Sequence, residues 1–174
     1  MNRAGVAEDF HYGLPGNGDA RAAPAVSILA DRAYLRDQIG DDARAAGLRI
    51  ASSGGLADLA DGAAPPLGDV TLIDCPQVKP ATLAALARLD LQASQCGARL
   101  VVSTTLDSLE PVFACMDRSG PQFLVDPSRA ERIIALGHAL AALPAGRLRE
   151  LSEEDRLMIL RLTEQVGHIA QRLD

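Results

Sequence analysis

Asp74 closes the apolar run Val70-Thr71-Leu72-Ile73 in the segment GDVTLIDCP. A carboxylate at the end of a buried strand needs a reason, because burying an unpaired charge is costly. The same pattern recurs along the chain. Asp31, after Ala30, closes Val26-Ser27-Ile28-Leu29; the hydroxyl pair Ser103-Thr104 closes Leu100-Val101-Val102; Asp126 closes Gln122-Phe123-Leu124-Val125. If these runs are parallel strands, all of their polar ends fall on the carboxyl edge of one sheet, the place where open α/β sheets bind ligands. Each polar end also has a purely structural alternative. Asp74 can be solvated or cap the following loop, Asp31 can N-cap the first helix, and Thr104 can cap the helix after its strand.

The elements needed to position these residues are legible as alternating patterns. Five strand-like runs fall at roughly 25–30, 48–52, 69–74, 99–104 and 122–125, with helical patterns at about 32–46, 54–61, 79–96, 106–118 and 128–142. Leu35, Ile39 and Ala43 lie at helical spacing, as do Leu83, Leu86, Ala87 and the pair Asp90-Leu91. The strands read as continuous apolar runs, the signature of a parallel sheet covered on both faces. Parallel crossovers are right-handed, which makes five such units a doubly wound sheet. The flavodoxin-like order 2-1-3-4-5 then sets the ends of strands 1 and 3 side by side at the switch point.

Composition narrows the function classes. A chain of 174 residues holds one full core plus appendages. It is rich in Ala and Leu, poor in aromatics and without Trp, which suits helices on a sheet. The formal net charge of −6 argues against direct nucleic-acid contact, since phosphate recognition needs a local excess of Lys and Arg. Lys79 is the only lysine. Cys75, Cys96 and Cys115 are odd in number and lack CxxC spacing, so they read as reduced thiols, with Cys75 a small buried residue rather than a redox sensor. No signal peptide or stretch of ~20 apolar residues appears, so the expected location is cytoplasmic, with no membrane partner. His11, His138 and His168 have no second ligand at metal spacing.

Three segments follow. Residues 1–24, with GLPGNGDARAAP, read as a flexible arm whose glycines precede a strand and so do not fit a dinucleotide loop. Residues 25–143 form the α/β domain. Pro144 and Gly146 break the fifth helix, and residues 148–174 read as a linker and dimerisation helix, N-capped by Ser152 with Glu153, Glu154 and Asp155 in its first turn. Along this helix Ile159, Leu162, Val166, Ile169 and Leu173 repeat at spacings of 3 and 4, a coiled-coil-like seam that predicts a homodimer. The alternative for the seam is a helix packed back on its parent domain.

The segments VSILAD, DVTLIDCP, LVVSTT and PQFLVDP together resemble the receiver domain of bacterial response regulators over about residues 25–142. The resemblance places Asp74 at the phosphoacceptor position, Ala30 and Asp31 at the acidic pair, and Thr104 at the strand-4 hydroxyl, with Ser103 its one-residue alternative. It places Phe123 at the aromatic switch position and Asp126 where receivers carry a lysine; Pro127 agrees with the family. Receivers hold Mg²⁺ with their acids, and the metal, lysine and hydroxyl neutralise the transferring phosphoryl oxygens. Here one acid is missing and the lysine is replaced by an acid. At an effective dielectric near 20, a unit charge ~5 Å away contributes about 3 kcal/mol, and exchanging plus for minus roughly doubles that.

The resemblance therefore implies a degenerate, pseudo-receiver type, with Asp31, Asp74 and Asp126 forming an acidic pocket and no catalytic residues. It is expected to be non-enzymatic, and the one cofactor left open is weakly held Mg²⁺ at Asp31 and Asp74. The run LSEEDRLMILRLTEQVGHIAQRL also resembles the leading dimerisation helix of MarR-type winged-helix regulators, which implies a DNA-binding output domain beyond Asp174. The expected function is a phosphorylation-independent, dimerising signalling module for such an output. The competing readings are an active phosphoryl-accepting receiver at Asp74 and a small-molecule sensor using the same crevice.

Overall fold

The computed structural model describes residues 24–59 and 65–161. Five parallel strands, β1 (Ala25–Ala30), β2 (Arg49–Gly54), β3 (Val70–Cys75), β4 (Arg99–Thr104) and β5 (Gln122–Val125), form one sheet in the order β2-β1-β3-β4-β5. The helices are α1 (Ala33–Ala45), α2 (Pro80–Cys96), α3 (Leu106–Cys115), α4 (Arg129–Ala141), α5 (Ala145–Glu150) and α6 (153–161). This is the doubly wound, flavodoxin-like architecture expected from the alternation of apolar runs.

The two-residue period of the strands divides the core into two layers. On one face Val26 and Ile28 of β1, Val70 and Leu72 of β3 and Val101 of β4 meet Leu35, Ile39 and Ala43 of α1 and Leu136 and Leu140 of α4. On the other, Leu29, Ile73, Cys75, Leu100 and Val102 meet Leu86 and Leu89 of α2 and Val112 of α3. Burying each Leu-, Ile- or Val-sized side chain is worth about 1.5–3 kcal/mol, so both layers hold the central strands firmly. β1 and β3 are buried along their whole length, which is why they carry no alternating polar residues.

Local signals fix the helix ends. Pro80 opens α2, and Gly97 closes it at φ 80°, a left-handed conformation that suits glycine. Ser128 and Glu131 form a capping box at α4: the Glu131 N–H donates to Ser128 Oγ at 3.1 Å and the Ser128 N–H to Glu131 Oε1 at 3.2 Å. Ser152 caps α6 as expected, accepting from the Asp155 N–H at 3.1 Å.

The structure departs from the sequence reading in three places. No α-helix covers the described part of 54–61. β2 runs on to Gly54, and a single 3-10 turn (Ala57–Leu59) follows. Asp58 Oδ2 accepts from the Gly55 N–H and Asp31 Oδ1 from the Ala57 N–H, so side chains take amides that a helix would need. The helix expected over 106–118 stops at Cys115, because Asp90 binds the backbone N–H groups of Arg118 and Ser119. The expected break after the fifth helical pattern is present, since α4 ends at Ala141, but residues 145–150 then form the unexpected short helix α5, whose Arg147 pairs with Asp69 at the amino edge of the sheet.

Ile159, first residue of the expected dimer seam, is 7% exposed and packs into the same layer as α1, α4, Leu143 and Leu151. Leu157 and Leu160 of the same helix face outward. Leu162, Val166, Ile169 and Leu173 lie outside the described residues, as does the arm over 1–23.

Candidate functional site at the carboxyl edge

Asp74, the penultimate residue of β3, lies in register with Ala30 of β1 and Ser103 of β4, so the central strands deliver three expected positions to one edge. Its carboxylate is 4% exposed and fully engaged. Arg32 donates from Nε to Oδ2 at 2.9 Å and from Nη2 to Oδ1 at 2.8 Å, a bidentate, charge-assisted pair. The bond to Asp74 holds the Arg32 guanidinium above its ordinary pKa, against the opposing effect of its own partial burial. Arg32 also donates from Nη1 to the Tyr34 hydroxyl at 3.3 Å, and its guanidinium carbon lies 5.9 Å from the Tyr34 ring centre. The backbone of Arg32 starts α1, accepting the Leu35 and Arg36 N–H groups. One residue therefore both starts the helix and pairs with the Asp74 carboxylate.

Arg32 and Pro76 border two crevices. A 340 Å³ crevice is lined by Asp74, Thr104, Asp126, Arg32, Tyr34 and Arg132, among others. A 440 Å³ crevice on the other side is lined by Asp31, Arg32, Ala57, Gln77 and Lys79, among others. The sequence-expected acids are thus divided: Asp74 and Asp126 share one crevice and Asp31 borders the other. Asp31 does not cap α1, the structural alternative for it. Its Oδ1 accepts from the Ala57 N–H at 3.0 Å and so caps the 3-10 turn after β2.

The residues expected at the hydroxyl and switch positions make local contacts. Thr104 is buried and donates from Oγ1 to the Cys75 carbonyl at 2.7 Å, while its own carbonyl accepts from the Asp126 N–H at 2.9 Å. Ser103 is buried beside Asp74 in register but does not line the Asp74 crevice. Phe123 packs against Phe113, ring centres 5.3 Å apart, on the α2–α3 side of the sheet. Asp126 sits at φ 43°, a left-handed conformation that Asp adopts more readily than most residues, and its carboxylate makes no ion pair among the described residues. Burial pushes the Cys75 thiol up to about 11, with the Asp74 charge acting in the same direction, so at neutral pH it is a thiol and not a nucleophilic thiolate.

The donor set does not fit a divalent ion. Such ions take several hard oxygen ligands. Ala30 supplies no side-chain oxygen, both Asp74 oxygens are bonded by a cation, and one Asp31 oxygen is bonded by an amide. Among the described residues no group of three or more His, Cys, Asp and Glu side chains is placed to share a metal.

Two arginines escaped the sequence reading. Arg32 directly follows Asp31 in ADRAYL, but nothing in its spacing says that its side chain turns back over the end of β3. Arg132, in the first turn of α4, donates to the Pro127 carbonyl at 3.1 Å and to Gln38 Oε1 at 2.8 Å and forms part of the crevice wall beside Asp126. The edge that lacks a lysine at position 126 therefore has positive charge from other positions.

No protein-family model and no curated protein sequence matches the chain. Solved structures do. The chain is similar to the non-phosphorylated HemR receiver domain from Leptospira biflexa, at 13% identity and a TM-score of 0.52, over 70% of this chain and 97% of that one. It is also similar to NtrX from Brucella abortus, at 18% identity and a TM-score of 0.50, over 73% of this chain and 28% of that one. Identities this low speak for architecture and not for chemistry. With the strand order and the two covering layers, they establish that this chain has the five-stranded, flavodoxin-like fold of receiver domains.

Proposed function

We propose that this chain is a receiver-like signalling module of a bacterial regulator that works without phosphoryl transfer to Asp74. The observation that carries the reading is the Arg32–Asp74 pair, which occupies both oxygens of the carboxylate a receiver would phosphorylate. Two further features support it. The acid pair is reduced to Asp31 by Ala30, and Asp126 stands where a cation would be needed beside a phosphoryl group. Adding a doubly charged group between Asp74 and Asp126 would require breaking two charge-assisted hydrogen bonds and placing negative charge against negative charge.

The output step of this reading is association. Homodimerisation through Leu162, Val166, Ile169 and Leu173 would begin where Ile159 anchors α6 to the domain. The likeness of residues 151–173 to a MarR-type leading helix makes a DNA-binding output unit the natural partner. The test is a spectrum of the full chain with and without Mg²⁺ and beryllium fluoride, which mimics a phosphorylated aspartate. Amide chemical shifts at residues 31, 74, 104 and 126 should be unchanged. Saturable shifts at Asp74 and Thr104 that vanish in Asp74→Asn would return the chain to the phosphoryl-accepting class.

A further inference from the structure

We propose that the Arg32 guanidinium is the resident cation of this edge, and that it keeps a divalent ion from binding Asp31 and Asp74. This deepens the phosphorylation-independent reading and rests on it. A carboxylate that is almost wholly buried must be neutralised by something. Here the neutralising charge is covalent: Arg32 meets both Asp74 oxygens at 2.8 and 2.9 Å from the residue directly after Asp31. With Pro76, it borders both crevices and so stands between the Asp31 side and the Asp74 side. Tyr34 holds the guanidinium from a third direction through its hydroxyl and ring.

Truncating this side chain has two consequences. Asp74 loses its neutralising cation, and the guanidinium no longer stands between the Asp31 side and the Asp74 side. The charges that remain on the crevice walls, Lys79 on one side and Arg132 on the other, are lining residues, and Arg132 is already committed to Gln38 and the Pro127 carbonyl. Asp74 and the free oxygen of Asp31 are then open to a divalent ion, which no longer competes with a resident cation. The wild-type protein, by contrast, is set in one charge state whatever the metal concentration around it.

The experiment is titration of the full chain with Mn²⁺, read by the electron paramagnetic resonance of free ion, on wild type, Arg32→Ala, Arg32→Lys and the double variant Arg32→Ala with Asp74→Asn. Wild type and Arg32→Lys should show no saturable binding at millimolar ion. Arg32→Ala should bind roughly tenfold or more tightly than wild type, since the competing cation is gone, and the double variant should lose that gain. Arg32→Gln, neutral and of similar length, is read in the same way if the alanine variant fails to fold. Wild-type binding equal to that of folded Arg32→Ala, or no gain in either neutral variant, would overturn the proposal. That failure would leave the phosphorylation-independent reading standing as long as acetyl phosphate does not modify wild-type Asp74; modification of wild-type Asp74 would remove that reading whatever the variants bind.

Discussion

Arg32 and Asp74 face each other across the carboxyl edge as a two-point pair, with one hydrogen bond to each carboxylate oxygen at 2.9 and 2.8 Å. The partners differ in environment: Asp74 is 4% exposed and the Arg32 side chain 43%. Water therefore reaches one member of the pair, which lowers its worth below that of a fully buried bridge. Losing one partner of a buried pair costs ~3–5 kcal/mol and an exposed pair contributes ~0–1, so Arg32→Ala should destabilise by about 1–2 kcal/mol. Urea denaturation at low and high salt checks this, and the loss should shrink as salt screens the pair. A variant as stable as wild type would mean that Asp74 finds another partner.

A second carboxylate, Asp90 in α2, should matter more to stability. It is 1% exposed and accepts from the Arg118 N–H at 2.8 Å, the Ser119 N–H at 3.0 Å and the Ser119 hydroxyl at 2.5 Å. Asp90→Ala strands three donors at once, and each unmet buried group costs ~1–3 kcal/mol, so a loss of about 2–4 kcal/mol is expected. Hydrogen exchange at Arg118 and Ser119 should accelerate in the variant. Unchanged exchange there would show that the loop before β5 is held by something other than Asp90.

Much of the fold was legible and part of the site was not, for physical reasons. The strands could be read because burial on both faces demands continuous apolar runs, as in Val26–Leu29 and Leu100–Val102. No α-helix forms over the described part of 54–61 because Gly54 and Gly55 loosen the backbone and Asp31 and Asp58 capture its amides. Asp74, Thr104 and Asp126 were found together because strand ends are positions along a chain, which a sequence records. Arg32 was missed because its role depends on where a long side chain turns, which a sequence does not record. Asp90 was missed for a related reason: it lies within the apolar pattern of α2, and its partners are 28 and 29 residues away.

The Cys75 thiol gives a pH signature. Its pKa in the folded protein is about 11 against an ordinary 9.0, raised first by burial and then by Asp74. The folded state thus keeps its proton at pH values where the unfolded chain loses it. That contribution is complete below pH 9 and is lost as pH rises towards 11, amounting to about 2–3 kcal/mol. Cys75→Ala should flatten this part of the stability profile, compared with wild type by chemical denaturation across that window. Parallel profiles would place the cause in the arginines or the other thiols.

The dimer proposal separates two positions of one stripe. Val166→Asp should convert dimer to monomer in sedimentation with little change in domain stability. Ile159→Asp should instead unfold or strongly destabilise the domain, because Ile159 is buried in its own core layer; putting a charge there leaves it unpaired and removes ~1.5–3 kcal/mol of apolar burial. A dimer that survives Val166→Asp would place the interface elsewhere, and the exposed Leu106 and Phe113 of α3 are the next surface to probe.

The most direct test of the central claim is intact-mass analysis of the wild-type chain after incubation with acetyl phosphate and Mg²⁺, with a working receiver treated in parallel. The Arg32 pair and Asp126 predict no phosphoryl adduct on this chain under conditions that label the control. A substantial adduct on wild type that disappears in Asp74→Asn would contradict the account and make Asp74 a phosphoacceptor.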